Sequence, residues 1–266
     1  MGVDKDTAGY KPLNSDQWHQ VIVGNTDARE EAAKIVSGCV KLWYKPVEEH
    51  TFPDQTVLEI GSGTGLLSGA LAKNKRKVAL LDLSSENLEF SKTVFKYAKL
   101  DGKFIQGDVL KLFPFCDNTF DCVWSHGLLE HFTDDEIDFI MSESARVSKS
   151  VVLTMVPNAA SIPYRIGKWY QQLKGSWPYG RENPEYTLRG YFEKAGLRSI
   201  VEYSIDPRHS FEFLAMLSGN AIGKVILRLL YRIPLKALKA LNQGWLLVTV
   251  GKKPVKNSLG DTKNDL

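Results

Sequence analysis

The chain has 266 residues, 43% of them hydrophobic, with a formal net charge of +3, three cysteines and five histidines. That length and apolar content can fill a full core and suit one domain with additions. The mild charge excludes a strongly basic nucleic-acid footprint, and Cys39, Cys116 and Cys122 lack metal-ligand spacing, which fits packed thiols in a reducing compartment. The N-terminus lacks the apolar core of a secretory signal, and no run of eighteen charge-free apolar residues could span a bilayer, so a cytoplasmic location is expected.

In chain order, residues 1–26 are polar. Asp27-Ala28-Arg29-Glu30 then forms a capping box ahead of Ala32, Ile35, Val36, Cys39, Val40 and Trp43 at helical spacing. Residues 1–52 therefore read as an N-terminal helical cap. Val57-Leu58-Glu59-Ile60 is an apolar strand running into Gly61-Ser62-Gly63-Thr64-Gly65, and Leu66 to Leu71 continue as a helix whose free N–H groups face the turn. Lys77 to Asp82 reads as a second strand, 84–99 as a helix, 104–109 as a short strand and Phe120 to His126 as a fourth. Thr133-Asp134-Asp135-Glu136 caps a helix over 134–147, followed by a strand over 150–156. Thr187 opens a short helix ending at Gly196. Strands near 198–205 and 244–251 complete the domain, which spans 1–254, and 255–266 reads as a disordered tail.

Strand, glycine turn and helix make a nucleotide loop, and its spacing selects the ligand. A dinucleotide fingerprint starting at Gly61 needs glycine at 66, where the chain has Leu66, which argues against a nicotinamide-dependent oxidoreductase. Asp82 closes the second strand 17 residues beyond Gly65, about where a ribose-binding acid sits, and Asp108 closes the third. Ligands of open α/β sheets lie across the carboxyl ends of the strands. Gly61 to Gly65, Asp82, Asp108 and Ser125-His126 should therefore converge on one crevice.

These stretches, with Leu128-Leu129-Glu130-His131-Phe132 after strand four, resemble the small-molecule branch of the class I S-adenosylmethionine-dependent methyltransferases, closely over roughly residues 55–156. The resemblance implies a Rossmann-like, doubly wound seven-stranded α/β sheet of order 3-2-1-4-5-7-6, with S-adenosyl-L-methionine as cofactor and S-adenosyl-L-homocysteine as product. It implies that the glycine loop, with Gly61, Ser62, Gly63 and Gly65, holds the methionine end of the cofactor, with Glu59 either orienting the loop or bonding the cofactor through water. Asp82 would hold the ribose hydroxyls and Asp108 with the Val109 backbone the adenine, with Leu83 and Ser125 as further cofactor-binding candidates. A non-catalytic cofactor-binding or partner module on the same fold stays open, because fold does not imply function.

The acceptor is framed by what is missing. After strand four the chain reads Ser125-His126-Gly127-Leu128, not the Asn/Asp-Pro-Pro-aromatic pattern of nucleic-acid amino methyltransferases, and it lacks the paired glutamates of protein arginine enzymes. No metal cluster like that of catechol-type enzymes is evident. A small-molecule acceptor, apolar or aromatic and methylated on oxygen or nitrogen, is expected, with no nucleic acid partner; the sequence does not give the oligomeric state. A sulfonium methyl needs in-line positioning and, for such acceptors, removal of a proton. Histidine suits that step, so His126 and His131 are the catalytic candidates, with Glu130 and Tyr164 as alternatives.

Two insertions at the carboxyl edge read as lids, 157–186 and 207–243. The first offers Tyr164, Trp177, Tyr179 and Arg181 to the acceptor, and the second offers His209. Within the second, Lys224, Arg228, Arg232 and Lys236 recur every four residues among Ile222, Val225, Ile226, Leu229, Leu230 and Ile233, interrupted by Pro234. A lid over the acceptor is the favoured reading of 221–241. Contact with an anionic membrane, and with it a lipid or quinone-like acceptor, is the alternative.

Overall fold

The computed structural model describes residues 11–111, 113–215, 225 and 228–254. A seven-stranded sheet runs in the order β3-β2-β1-β4-β5-β7-β6, as the resemblance implies, from β1 (Thr56–Ile60), β2 (Lys77–Asp82), β3 (Lys103–Gln106), β4 (Phe120–His126), β5 (Ser148–Pro157), β6 (Arg198–Ile205) and β7 (Leu246–Lys252). β3-β2-β1-β4-β5 are mutually parallel, and β7 lies antiparallel between β5 and β6. Successive side chains leave opposite faces of a strand. Accordingly Val57, Val78, Leu80, Cys122 and Trp124 enter one core while Leu58, Ile60, Ala79, Leu81 and Val123 enter the other.

The first core is covered by α2 (Ala28–Ser37), α4 (Leu66–Lys73) and α5 (Ser85–Ala98), which contribute Ala32 and Ile35, Leu67 and Leu71, and Leu88 and Phe95. The second is covered by α6 (Asp134–Val147) and α8 (Arg189–Lys194), through Ile137, Ile140, Met141 and Phe192. α6 carries the capping box read from Thr133 and Glu136. α2 starts at Asp27, whose carboxylate accepts from Arg29 N–H at 2.6 Å, but it stops at Ser37 rather than continuing to Trp43. Gly38 takes φ +78° and its N–H closes on the last carbonyls, a left-handed cap that ends the helix and frees the chain to turn. A single 3₁₀ turn over Leu42–Tyr44 and the short α3 (Lys45–Glu49) follow.

The sequence reading passed over α1 (Ser15–Ile22) in a segment taken as polar. Asn14 and Gln17 form a reciprocal capping box there, and Trp18 and Ile22 turn inward. The first insertion contains α7 (Ile162–Leu173). α9 (Pro207–Ala215) and α10 (Leu235–Ala240) belong to the second. Pro234 sits immediately before α10, so the basic segment is broken where its ring predicts. Residues 221–224, 226 and 227 of that segment, and the tail 255–266, lie outside the described residues. Among the described residues no helix is long and apolar enough to cross a membrane.

Candidate cofactor and acceptor site

The sheet order reverses direction between β1 and β4, and the crevice at their carboxyl ends opens into a cavity of about 780 Å³. Its floor is the turn after β1. Gly61 and Gly65 adopt φ +68° and +69°, and a Cβ at Gly61 would lie 2.7 Å from Leu128 Cδ1, so only glycine fits. Gly65 caps α4, whose N-terminal N–H groups therefore face the cavity.

Asp82 organises this floor. Its Oδ2 accepts from Gly63 N–H at 2.8 Å; its Oδ1 accepts from Ser84 N–H at 2.9 Å and from the Asn87 amide at 3.3 Å. The carboxylate thus ties the glycine turn to the start of α5. Burial pushes its pKa up, against the pull of the N–H groups from Ser84 and Gly63. Glu59, one strand over, is buried and accepts from Ser68 Oγ of α4 at 2.5 Å. Burial raises it to about 8, so it keeps its proton at neutral pH and braces α4 as a neutral group. Because the folded pKa exceeds the unfolded one, Glu59 contributes stability that is complete below about pH 4.5 and is lost as pH rises through about 8. Urea unfolding should therefore show Glu59→Gln gaining on the wild type as pH rises from about 5 to about 8, by roughly 1.4 kcal/mol for each pH unit. Parallel profiles for the two proteins would remove Glu59 from this role.

The sequence candidates divide clearly. Glu59, Gly61, Ser62, Gly63, Asp82, Leu83, Asp108, Val109, His126, His131 and Arg181 line the cavity. Ser62 Oγ is buried there without a protein partner, and Leu83 presents an exposed apolar side chain to the wall. Asp108 Oδ1 accepts from Leu110 N–H at 2.9 Å, the Asx-type turn that fixes the loop after β3. Gly65, which ends the turn, is off the wall and packs toward Leu80 and Ser91, and Ser125 is buried in the sheet opposite Thr154.

Tyr164, Trp177, Tyr179 and His209 are not on the cavity wall. Tyr164 and Trp177 are buried and form, with Tyr179, a small core inside the first insertion. There Tyr164 OH donates to Glu182, and Lys168 Nζ lies 2.9 Å from Glu182 Oε1 and 5.0 Å from the Trp177 ring centroid. The physical reason is the long reach of α7, which packs on α9 instead of folding over the crevice. His209 lies behind Trp43, with ring centroids 5.3 Å apart. Among the described residues the N-terminal cap walls the cavity with Trp18, Ile22, Val40, Lys41 and Trp43, and of the two insertions Arg181 reaches it. Sequence reasoning missed α1, although the Asn14–Gln17 box before Trp18, Val21 and Ile22 was a usable signal.

The two catalytic candidates differ in chemistry. His126 stacks on Trp43 at 5.1 Å with 17° between planes, its Nε2 is buried without a partner, and burial lowers it to about 4. His131 meets the carbonyl of Arg181 at 2.6 Å through Nδ1, so that nitrogen carries the proton and Nε2 holds the lone pair. Trp18 packs edge-on against it at 4.6 Å, and burial lowers its pKa too. Arg181 returns a hydrogen bond to the His131 carbonyl at 2.9 Å and leaves Nε buried without a protein acceptor. Neighbouring Glu130 is held well above the carboxylate range, by burial and then by the charge of Glu182. Glu130, His131 and Glu182 bring three potential metal-ligand atoms within 4.8 Å, but Lys168 already supplies the positive charge beside Glu182.

Residues 57–150 match the family described as a methyltransferase domain. Among solved structures, a SAM-dependent methyltransferase from Archaeoglobus fulgidus is similar with a TM-score of 0.57 at 14% identity, covering 89% of this chain and 98% of its own. A SAM-dependent methyltransferase from Thermotoga maritima gives 0.56 at 18%, covering 88% and 100%. The phosphoethanolamine N-methyltransferase 2 of Haemonchus contortus, in complex with phosphomonomethylethanolamine and S-adenosylhomocysteine, gives 0.57 at 17%, covering 91% of this chain and 60% of that one. At these identities the structural likeness shows the fold. None of the curated proteins matches the sequence. Residues 57–150 thus match a methyltransferase domain, and the strand order places the chain in the fold of these solved structures.

Proposed function

We propose that the chain transfers a methyl group to a small-molecule acceptor held in the same cavity as the cofactor. One observation carries this reading: the glycine loop, Asp82 and Asp108 share a single cavity with an aromatic wall of Trp18, Trp43, His131 and Phe132. A volume of about 780 Å³ lies within the range of small-molecule and cofactor sites, and aromatic walls with a few polar groups suit an aromatic or partly apolar acceptor. Ser62, Asp82, Leu83, Asp108 and Val109 are the residues that would hold S-adenosylmethionine, which supplies an electrophilic methyl on a sulfonium. Asp82 keeps lone pairs for the ribose hydroxyls beyond those used by Gly63 and Ser84.

His131 is the better placed base. Its tautomer is fixed by the Arg181 carbonyl, which leaves the Nε2 lone pair, 3.8 Å from the Glu130 carboxyl, to accept a proton from an acceptor hydroxyl or ammonium, and Arg181 Nε would orient an anionic or carbonyl oxygen of the same molecule. His126, at about 4, is too weak a base to deprotonate at neutral pH, and its role is to pack Trp43. The test is release of S-adenosylhomocysteine from S-adenosylmethionine across a panel of phenols, amines and aliphatic alcohols. His131→Asn should lower turnover about 100-fold or more, the usual scale for a lost general base, with cofactor affinity within about twofold. Turnover equal to wild type in that variant would remove His131 from the chemistry.

The acceptor wall has its own expectation. Trp18→Ala should raise the acceptor KM by about tenfold through lost aromatic contact while the cofactor Kd stays nearly constant, whereas Trp177→Ala should change both only through stability. Steady-state kinetics on the accepted substrate checks this. A KM effect from Trp177 instead would return the first insertion to the site.

A further inference from the structure

The first insertion was expected to turn its aromatics to the acceptor, yet α7 exposes an apolar line along one face. Ile162 is 61% exposed, Ile166 43%, Trp169 61% and Leu173 65%, at positions i, i+4, i+7 and i+11. The opposite face is buried through Pro163, Tyr164, Gly167, Lys168 and Gln171. Gly167 lets the backbones of α7 and α9 meet, since a Cβ there would lie 2.4 Å from the Phe213 carbonyl oxygen. α9 in turn packs on α10, Phe211 meets Tyr231 at 5.6 Å, and Gln243 bonds Ile162 N–H and the Ala160 carbonyl at 3.0 and 2.9 Å. The second insertion is thus built onto the same base, and it too exposes apolar side chains, Val225 and Leu229 among them. Side chains of a closed lid would be covered by the domain.

Charge separates the occupants of such a face. Residues 144–181 and 213–260 contain neither Asp nor Glu but hold fourteen Lys and Arg, so the rest of a chain whose total is +3 carries −11. Arg165 and Lys174 lie on or next to α7; Arg228, Arg232, Lys236 and Lys239 accompany the second apolar set. Exposed apolar residues with an exposed tryptophan, bordered by cations, match the surface of an anionic bilayer: acyl chains take the apolar side chains and lipid phosphates the cations, while the acid of α9, Glu212, pairs with Lys41 and His209. A second copy of the chain would bring the same positive charge against itself.

We propose that α7 and the segment 228–241 form a docking face for an anionic lipid bilayer, in place of the lid role expected for 221–241. α7 follows β5, and α9 and α10 follow β6, which runs parallel to β5, so the face lies at the carboxyl edge that also opens into the cavity. Docking therefore brings the site's edge of the sheet to the lipid. The proposal is independent of the methyl acceptor and stands whether or not turnover is found.

The full chain is sedimented with vesicles of phosphatidylcholine alone and with one third phosphatidylserine. We expect binding to the anionic vesicles only, reduced at least tenfold by Ile166→Ser with Trp169→Ser and, separately, by Arg228→Glu with Arg232→Glu and Lys236→Glu. Binding should also fall when sodium chloride is raised to about 0.5 M, where charges are screened within a few ångströms. The substituted side chains are surface residues, and thermal melts equal to wild type confirm that the variants fold. No sedimentation of the wild type with anionic vesicles overturns the proposal. So does equal binding by both variants. A wild-type dimer in light scattering that Trp169→Ser dissociates, with no vesicle binding, would assign the face to a second copy instead.

Discussion

Asp82→Ala is expected to weaken S-adenosylmethionine binding by at least about 100-fold. The carboxylate would act twice: it ties Gly63 and Ser84 into position, and it lines the cavity, where in the proposed reading it accepts from the ribose hydroxyls. Each charge-assisted hydrogen bond contributes about 1.5–3 kcal/mol, and about 1.4 kcal/mol is a factor of ten, so losing two removes two to four orders of magnitude. Asp82→Asn should recover part of this, because its carbonyl oxygen still accepts one N–H, while its amide can only donate to the other side. Isothermal titration on the purified protein measures it directly. An unchanged Kd in the alanine variant would mean that the cofactor does not use the β2 acid. A melting temperature that falls while Kd holds would leave Asp82 only its loop-bracing bonds.

Asp82 was legible in the sequence because an acid closing an apolar strand, at a set distance from a glycine turn, has one geometric outcome in an open α/β sheet. Local signals likewise located β1, β2, β4 and α6: apolar runs for the strands and a capping box for the helix. The aromatic wall proposed for the acceptor was not legible, and the reason is physical. Trp18 and Trp43 are distant in sequence from β4, and they reach His131 and His126 only after α1 and the 3₁₀ turn fold back across the crevice. Aromatic composition pointed instead to 157–186. There Tyr164, Trp177 and Tyr179 serve a local core, because an insertion of that size must bury something of its own. Only Arg181, at the end of that insertion, reaches the cavity.

The buried ion pair that anchors this insertion sets the other large effect. Lys168 and Glu182 have side chains 8% and 6% exposed, and Glu182 also accepts from Tyr164 OH, while Glu130 is held well above the carboxylate range by its burial and then by the charge of Glu182. Lys168→Met removes the only cation touching Glu182 among the described residues and leaves its charge next to a second carboxyl in an apolar setting. Breaking a buried pair from one side costs about 3–5 kcal/mol, and a domain of this size loses about 2–4 °C in Tm per kcal/mol, so a fall of roughly 6–20 °C is expected. Adding Glu182→Gln should restore at least half of the loss, since the stranded charge disappears and the amide can still accept from Tyr164. The double-mutant cycle separates an ion pair from mere packing, because packing losses at two sites would add. A single variant that melts within about 2 °C of wild type, or a double variant less stable than both singles combined, would show that Lys168 does not neutralise Glu182. S-adenosylmethionine affinity of the folded Lys168→Met protein should match wild type, because neither residue touches the cavity, and a large loss there would place the insertion in the cofactor site after all.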